Sequence, residues 1–127
     1  MENKEGLIWY NGNLIDWKDA KLHVLTHGLH YASSVFEGER SYSGRIFKLH
    51  EHTERLFFSA SELDFEIPYT IEEIKEACYL TLEKNNLVDA YIRPIAWRGA
   101  ETVGVSAQST KMHCPIAVGE WPSYFSP

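Results

Sequence analysis

The chain has 127 residues and a formal net charge of −6, and it is 44% apolar and 24% charged; this is the size and composition of one ordinary folded domain. No segment concentrates lysine or arginine, which excludes the basic surface that nucleic acid or anionic lipid requires. No apolar run approaches the roughly 18 residues that a membrane-spanning helix needs, so we expect neither nucleic acid nor a membrane as a partner.

Two β-hairpins are predicted near the start of the chain. Asn11-Gly12 separates two apolar stretches, and this dipeptide is favoured in two-residue hairpin turns because both positions need a positive φ. A second turn is predicted around Tyr42-Ser43-Gly44. It would join a strand that runs from Val35-Phe36 through Arg40 to another strand over residues 45–48.

Two helices are predicted after the hairpins. The first covers residues 51–63, and one stripe of it carries apolar side chains, namely Leu56, Ala60 and Leu63. The second begins after Thr70, because Thr70 and Glu73 have the spacing of a capping box. Asn85-Asn86 is the predicted end of this second helix.

The last third of the chain is predicted to return to strands, over residues 90–97 and 115–119. Pro94 lacks the amide hydrogen that a sheet ladder needs, which predicts an edge or a bulge in the first of these strands. Strands, then a pair of helices, then strands favour an α+β fold. We predict a two-layer arrangement, a mostly antiparallel sheet with two helices packed on one side.

Three histidines, His23, His27 and His30, have the spacing that would put them on one face of a helix, so a metal site has to be considered. No carboxylate or cysteine completes a ligand set nearby, and Gly28 would weaken the helix. Packed or hydrogen-bonded histidines are therefore the preferred interpretation, and no metal is predicted.

Arginine and tyrosine residues provide the candidate anion sites. Arg55 lies within the first predicted helix, where it could hold a phosphate or pair with Glu51 at i,i+4. Tyr91 and Arg93 project from the same face of a strand, where they could receive a carboxylate or simply pack on the sheet surface. Gly38 interrupts a predicted strand, which is typical of a bulge or of a close approach by a ligand. Spacing alone leaves these alternatives open.

Motifs along nearly the whole chain resemble those of class IV aminotransferases, and in particular of branched-chain amino acid aminotransferases. The matching stretches include Ile8-Trp9-Tyr10-Asn11-Gly12, His23-Val24 through His30-Tyr31, Ser34-Val35-Phe36-Glu37-Gly38 with Arg40, His52 with Arg55-Leu56, Asn85-Asn86-Leu87 and Ala90-Tyr91-Ile92-Arg93-Pro94. The Phe-Glu-Gly-x-Arg run is shared by class IV members broadly. The Tyr-Ile-Arg-Pro run favours the branched-chain members over D-amino-acid transaminases and aminodeoxychorismate lyases.

The resemblance implies a role for each matching position. Arg55 corresponds to the arginine that binds the phosphate of pyridoxal 5′-phosphate (PLP), and Arg93 to the arginine that receives the distal carboxylate of glutamate. Tyr31 corresponds to a tyrosine that reaches the pocket from the partner subunit of a family dimer, so a homodimer or a higher homo-oligomer is expected. The other matching residues correspond to the lining of the substrate pocket, and they are Phe36, Gly38, Tyr91 and Tyr124.

The resemblance also implies that residues 1–127 are the N-terminal small domain of such an enzyme. In the family, a lysine that forms the Schiff base with PLP lies in a C-terminal domain, and none of the seven lysines of this chain matches it. We expect the full-length protein to transfer amino groups between leucine, isoleucine or valine and 2-oxoglutarate. We expect the 127-residue chain alone to be inactive, with weak or no binding of PLP.

A second hypothesis is a non-enzymatic domain on the same fold, which binds a ligand or assembles with other subunits. It predicts a gene that stops near Pro127, whereas the enzyme hypothesis predicts a longer gene that encodes the lysine. Cys78 and Cys114 lack a CxxC spacing, and the charged start, Met1–Glu5, is not typical of a secretion signal. Two reduced thiols and a cytoplasmic location are therefore expected under both hypotheses.

Overall fold

An antiparallel sheet organises the chain, as seen in a computed structural model that describes residues 3–106 and 108–121. Its strands are β1 (Leu7–Tyr10), β2 (Asn13–Asp16), β3 (Ser34–Phe36), β4 (Glu39–Tyr42), β5 (Arg45–Ile46), β6 (Ala90–Arg98), β7 (Met112–His113) and β8 (Pro115–Glu120). The strand order is β2-β1-β8-β6-β4-β5, and β3 and β7 also pair with β6. Because every pairing is antiparallel across these residues, the predicted sheet is confirmed.

Two long helices, α2 (Leu49–Glu62) and α3 (Ile71–Lys84), pack together and against the sheet, as predicted. The capping box is present, since the Thr70 hydroxyl accepts from the Glu73 amide at 3.1 Å and the Glu73 carboxylate accepts from the Thr70 amide at 3.0 Å. A short helix that was not predicted, α1 (His27–Tyr31), precedes β3. None of the helices in the described part of the chain is long and apolar enough to cross a membrane.

Both predicted hairpin turns are confirmed, but the strand before the second turn is divided. Asn11 and Gly12 have φ values of 50° and 94°, and Ser43 and Gly44 have 51° and 84°, as tight hairpin turns require. The strand predicted from Val35 to Arg40 is split into β3 and β4, and both segments pair with β6. Only β4 takes part in the hairpin with β5.

Pro94 does not lie on a sheet edge or at a bulge, so that prediction is wrong. It pairs with Ile116 on one side of β6, and its carbonyl accepts from the Glu37 amide at 3.0 Å on the other. The register against β3 and β4 is continuous, from Phe36 opposite Ile95 to Glu39 opposite Ile92. The sheet tolerates the missing donor because β3 ends and β4 begins opposite it.

The core lies between the sheet and the two long helices. Its most deeply buried apolar side chains come from both layers and include Leu56, Ile74, Ile92 and Ile116; each stabilises the fold by roughly 1.5–3 kcal/mol through burial. Leu63, the last residue of the apolar stripe predicted for the first helix, is 42% exposed. Helix α2 begins two residues earlier than predicted and ends at Glu62, so Leu63 lies just beyond it.

Alternation along β3, β4 and β6 gives the sheet two chemically different faces. From Ser33 to Ser41 every odd-numbered residue is buried against the helices. On β6 the even-numbered residues from Ala90 to Ala96 are buried, whereas Tyr91 and Arg93 point to the other side. We call that other side the open face.

Candidate functional site

An aromatic and guanidinium cluster lies on the open face of the sheet. Arg93 Nε donates to the Tyr91 hydroxyl at 2.9 Å, and Arg93 Nη2 donates to the same oxygen. The Arg93 guanidinium carbon also lies 4.6 Å from the centroid of the Phe36 ring. We call Phe36, Gly38, Tyr91 and Arg93 the open-face cluster. Since Arg93 is exposed, the cluster combines ring surfaces with a charge that an anion can reach.

Gly38 is part of this cluster because its backbone approaches the Tyr91 side chain. A Cβ atom at residue 38 would lie 2.6 Å from the Tyr91 hydroxyl oxygen, which is closer than side chains pack. Trp121 also contacts this ring and stacks on Tyr91 with ring centroids 4.8 Å apart. Gly38 and Trp121 therefore set the position of the Tyr91 ring.

Gly38→Ala is expected to displace the Tyr91 hydroxyl and to remove its hydrogen bonds from Arg93. The cost in folding stability should be about 1–2 kcal/mol, within the usual range for overpacking, because the tip of a side chain can move. The measurement is the NMR resonance of Arg93 Nε–H, which should shift in the variant. Gly119→Ala is the matched control, because the one described atom that a Cβ there would meet is Lys4 Nζ, although Gly119 pairs with Tyr91. An unchanged Arg93 resonance in Gly38→Ala would contradict the prediction.

Arg55 belongs to a second group, the helix-face triad of Glu37, His52 and Arg55. Arg55 Nε and Nη2 donate to the two carboxylate oxygens of Glu37 at 2.8 and 2.7 Å. His52 Nδ1 lies 2.7 Å from Glu37 Oε1, to which it donates. The alternative partner of Arg55, Glu51, is therefore not the one used. His52 is the third member of this triad.

The triad joins a buried carboxylate to an exposed guanidinium. Glu37 is 4% exposed, whereas the Arg55 side chain is 65% exposed. Burial on its own raises the pKa of Glu37, but the hydrogen bonds from Arg55 and His52 outweigh it, so the pKa lies below its usual range. Glu37 is therefore ionised at neutral pH. The same pairing raises the pKa of Arg55.

Glu39 is the next buried carboxyl on this face, and it has a very different environment. It is 2% exposed, its Oε2 has no hydrogen-bond partner among the residues that the structure describes, and its Oε1 is contacted by Cys78 Sγ at 3.8 Å. Burial, followed by the nearby charge of Glu37, raises the pKa of Glu39 to about 8. Glu39 is therefore largely protonated at neutral pH, in contrast to Glu37.

The histidines are hydrogen-bonded within the protein, as the preferred interpretation held. His27 is buried, with Nε2 donating to the Val105 carbonyl at 3.1 Å and Nδ1 lying 2.6 Å from the Ser33 hydroxyl. His30 Nε2 donates to the Val24 carbonyl at 2.8 Å. Among residues 3–106 and 108–121, no group of three or more histidine, cysteine or acidic side chains could hold a metal ion.

The chain is similar to known proteins in both sequence and fold. The family model described as amino-transferase class IV matches residues 34–125. The branched-chain-amino-acid aminotransferase of Pseudomonas aeruginosa is 46% identical over 128 residues, which cover 98% of this chain and 42% of that protein. The chain belongs to the class IV aminotransferase family. It spans about 42% of the length of this curated relative.

Solved structures agree with this family assignment. The branched-chain amino acid aminotransferase of Escherichia coli superposes with a TM-score of 0.89 at 40% identity, covering 97% of this chain and 42% of the other. The branched-chain amino acid aminotransferase from Thermobaculum terrenum, in its PLP-form (holo-form), superposes with a TM-score of 0.81 at 25% identity, again over 97% and 42%. The predicted α+β fold is thus that of the class IV aminotransferases.

In this class IV aminotransferase chain, the residues predicted for the site fall into separate places. Phe36, Gly38, Tyr91 and Arg93 form the open-face cluster, and Arg55 lies in the triad on the helix face. Tyr31 is at the end of α1, where its ring contacts His27 and His30, and it is exposed. Tyr124 lies outside the described residues.

Two partners were missed in the sequence, although it contains a signal for each. Glu37 follows the buried Val35 by two residues in an extended segment, so alternation places it on the helix face. His52 and Arg55 are three apart on α2 and therefore share a helix face. Together these two patterns would have predicted the triad.

Proposed function

We propose that this chain is the N-terminal small domain of a PLP-dependent branched-chain amino acid aminotransferase. The enzyme would move the amino group between leucine, isoleucine or valine and 2-oxoglutarate. The observation that carries this proposal is the open-face cluster, in which the Arg93 guanidinium lies against the Phe36 and Tyr91 rings. Aromatic walls suit an aliphatic side chain, and the guanidinium suits the distal carboxylate of glutamate.

Arg55 is the residue proposed to hold the phosphate of PLP. Its guanidinium is mostly exposed, and its contacts with Glu37 use Nε and Nη2. Nη1 takes no part in those contacts and can donate to phosphate oxygens. Arginine is well suited to this role because its planar guanidinium carries several N–H donors. PLP, when bound, supplies the electron sink for amino-group transfer. The lysine that anchors PLP is proposed to belong to a C-terminal domain.

We propose a homodimer in which Tyr31 serves the pocket of the partner subunit. Tyr31 ends a segment whose large apolar side chains are exposed, and these are Leu22, Val24, Leu25 and Leu29. An exposed apolar surface of this kind is typical of a protein–protein contact. Size-exclusion chromatography with light scattering on the whole gene product tests this, and a monomer at micromolar concentration would contradict it.

Tyr124 remains a proposed pocket residue. The support is the resemblance together with the position of Trp121, three residues earlier, which stacks on Tyr91. We also propose a cytoplasmic location. Cys78 and Cys114 are both buried and unpaired, which suits a reducing compartment.

The test is absorbance spectroscopy of the whole gene product expressed with PLP. A cofactor band above 400 nm should disappear on addition of leucine and return with 2-oxoglutarate, whereas D-alanine should leave it unchanged. The 127-residue chain alone should show no amino transfer. A folded whole protein with no bound chromophore would overturn the enzyme proposal. A response to D-alanine but not to leucine would replace it with another class IV activity.

A further inference from the structure

We propose that Glu37 is a positioning residue that orients the Arg55 guanidinium to receive the phosphate of the cofactor. This inference rests on the proposed function, because it concerns the same phosphate. Glu37 itself is buried beneath the guanidinium and would not touch the cofactor. Its role would be to hold one edge of Arg55 so that another edge faces the ligand.

Glu37 and Arg55 form a bidentate ion pair, which we call the clamp. Both carboxylate oxygens of Glu37 are engaged, one by Arg55 Nε at 2.8 Å and the other by Arg55 Nη2 at 2.7 Å. Two parallel charge-assisted hydrogen bonds fix the plane of a guanidinium, which a single bond does not. Because Arg55 is on the exposed end of this contact, the clamp restricts a long side chain that would otherwise sample many rotamers.

Glu37 is itself held firmly, which a clamp requires. Its amide donates to the Pro94 carbonyl at 3.0 Å, and its carboxylate also receives the hydrogen bond from His52 at 2.7 Å. The backbone bond fixes Glu37 within the sheet, and His52 fixes its carboxylate from the same helix that carries Arg55. The position of the Arg55 guanidinium is therefore fixed by the sheet, through Glu37, as well as by α2.

Charge by itself would argue against this arrangement at an anion site. The negative charge of Glu37 partly cancels that of Arg55 and lowers the attraction for a phosphate. The Glu37–Arg55 pair therefore favours phosphate binding only if the affinity gained by orienting the guanidinium exceeds the affinity lost by reducing its charge. This sets two opposite expectations for removal of the Glu37 charge: weaker binding if Glu37 positions Arg55, and tighter binding if electrostatic attraction dominates.

The placement of Glu37 also links the two parts of the site. It lies between Phe36 and Gly38 in the chain, and both of those residues belong to the open-face cluster. The three consecutive residues therefore connect the helix-face triad to the open-face cluster through one short stretch of backbone. An Arg55 held by Glu37 has a fixed position relative to the pocket proposed for the substrate.

The experiment measures the affinity of the whole apoprotein for PLP and, in parallel, for inorganic phosphate. Glu37→Gln is expected to weaken both by about tenfold, a loss typical for removal of a residue that orients a ligand-binding group. Glu39→Gln is the matched control, since Glu39 is also buried on the helix face, two residues along, but contacts Cys78 and not Arg55. Its affinities should stay within about twofold of those of the unchanged protein.

A double-mutant cycle separates positioning from general damage. Arg55→Lys keeps the charge but has no planar fork for Glu37 to hold, so adding Glu37→Gln to it should change the affinity by less than about twofold. An equal loss in both backgrounds, or tighter binding by Glu37→Gln, would overturn the inference. If Glu37→Gln does not fold, Glu37→Asp takes its place, because its side chain is one methylene shorter and withdraws the carboxylate from the Arg55 guanidinium. If the unchanged protein binds phosphate but not PLP, the proposed function fails while the phosphate cycle still decides the role of Glu37.

Discussion

Arg55→Ala is expected to weaken the binding of PLP by the whole gene product by roughly a hundredfold or more, the scale of a lost charge-assisted contact to a phosphate. The variant removes the exposed guanidinium and leaves the buried Glu37 carboxylate with His52 as its hydrogen-bond partner. The lost affinity therefore reflects the missing donor together with an uncompensated negative charge beneath the site. Fluorescence titration of the apoprotein with PLP measures the effect.

Arg55→Lys distinguishes these two contributions. It retains the positive charge above Glu37 but loses the fork, so its affinity for PLP should lie between those of the unchanged protein and Arg55→Ala. A circular dichroism spectrum for each variant verifies that the fold is retained. Binding by Arg55→Ala within about threefold of the unchanged protein would show that the phosphate is held elsewhere, because this loss is far below that expected for a direct contact.

Local chemistry was enough to predict much of the fold. The two hairpin turns have positive φ at Asn11-Gly12 and at Ser43-Gly44, and both turns have a glycine at the second position, where that conformation has no steric cost. The capping box at Thr70 and Glu73 satisfies backbone donors within four residues. Features of this kind depend on neighbours in sequence, so a single sequence reveals them.

Pro94 shows what local chemistry could not predict. A proline within a strand predicts an edge or a bulge because it lacks an amide donor. The free-energy cost of that missing hydrogen bond, however, depends on the strand that lies opposite. In this chain the opposite strand is interrupted between Phe36 and Glu39, and that interruption lies more than fifty residues away in sequence. The tertiary structure therefore allows this proline inside the sheet, where its own chemistry predicts an edge or a bulge.

The sequence proposed residues for the site but not their arrangement. The resemblance assigned Arg55, Arg93 and the pocket residues separately, and it gave no indication that the arginines occupy opposite faces of the sheet. Their partners decide the chemistry. Arg93 is bonded to Tyr91, whereas Arg55 is bonded to a buried carboxylate. The partner of Arg55 could be deduced only by combining strand alternation at Glu37 with helix spacing at His52.

Glu39→Gln is expected to change the pH dependence of folding stability, with the largest effect at mildly alkaline pH. The pKa of Glu39 is raised from 4.5 to about 8 in the folded chain, chiefly by burial. Between these two values the folded chain binds a proton that the unfolded chain has released, so stability falls as the pH rises through this window. The loss should amount to roughly 3 kcal/mol between about pH 5 and about pH 8, and Glu39→Gln should not show it.

Urea unfolding of the 127-residue chain at several pH values measures this difference. The slope with pH is the decisive quantity, because a buried glutamine amide adds a cost of its own that does not vary with pH. Glu37→Gln supplies a control of opposite sign: the pKa of Glu37 is lowered in the folded chain, so its contribution to stability is lost as the pH falls, on the acid side. Parallel stability curves for Glu39→Gln and the unchanged chain would contradict the prediction. Such curves would mean that the ionised Glu39 carboxylate is stabilised by water or by a cation. Glu37 and Glu39 would then carry the same charge at neutral pH.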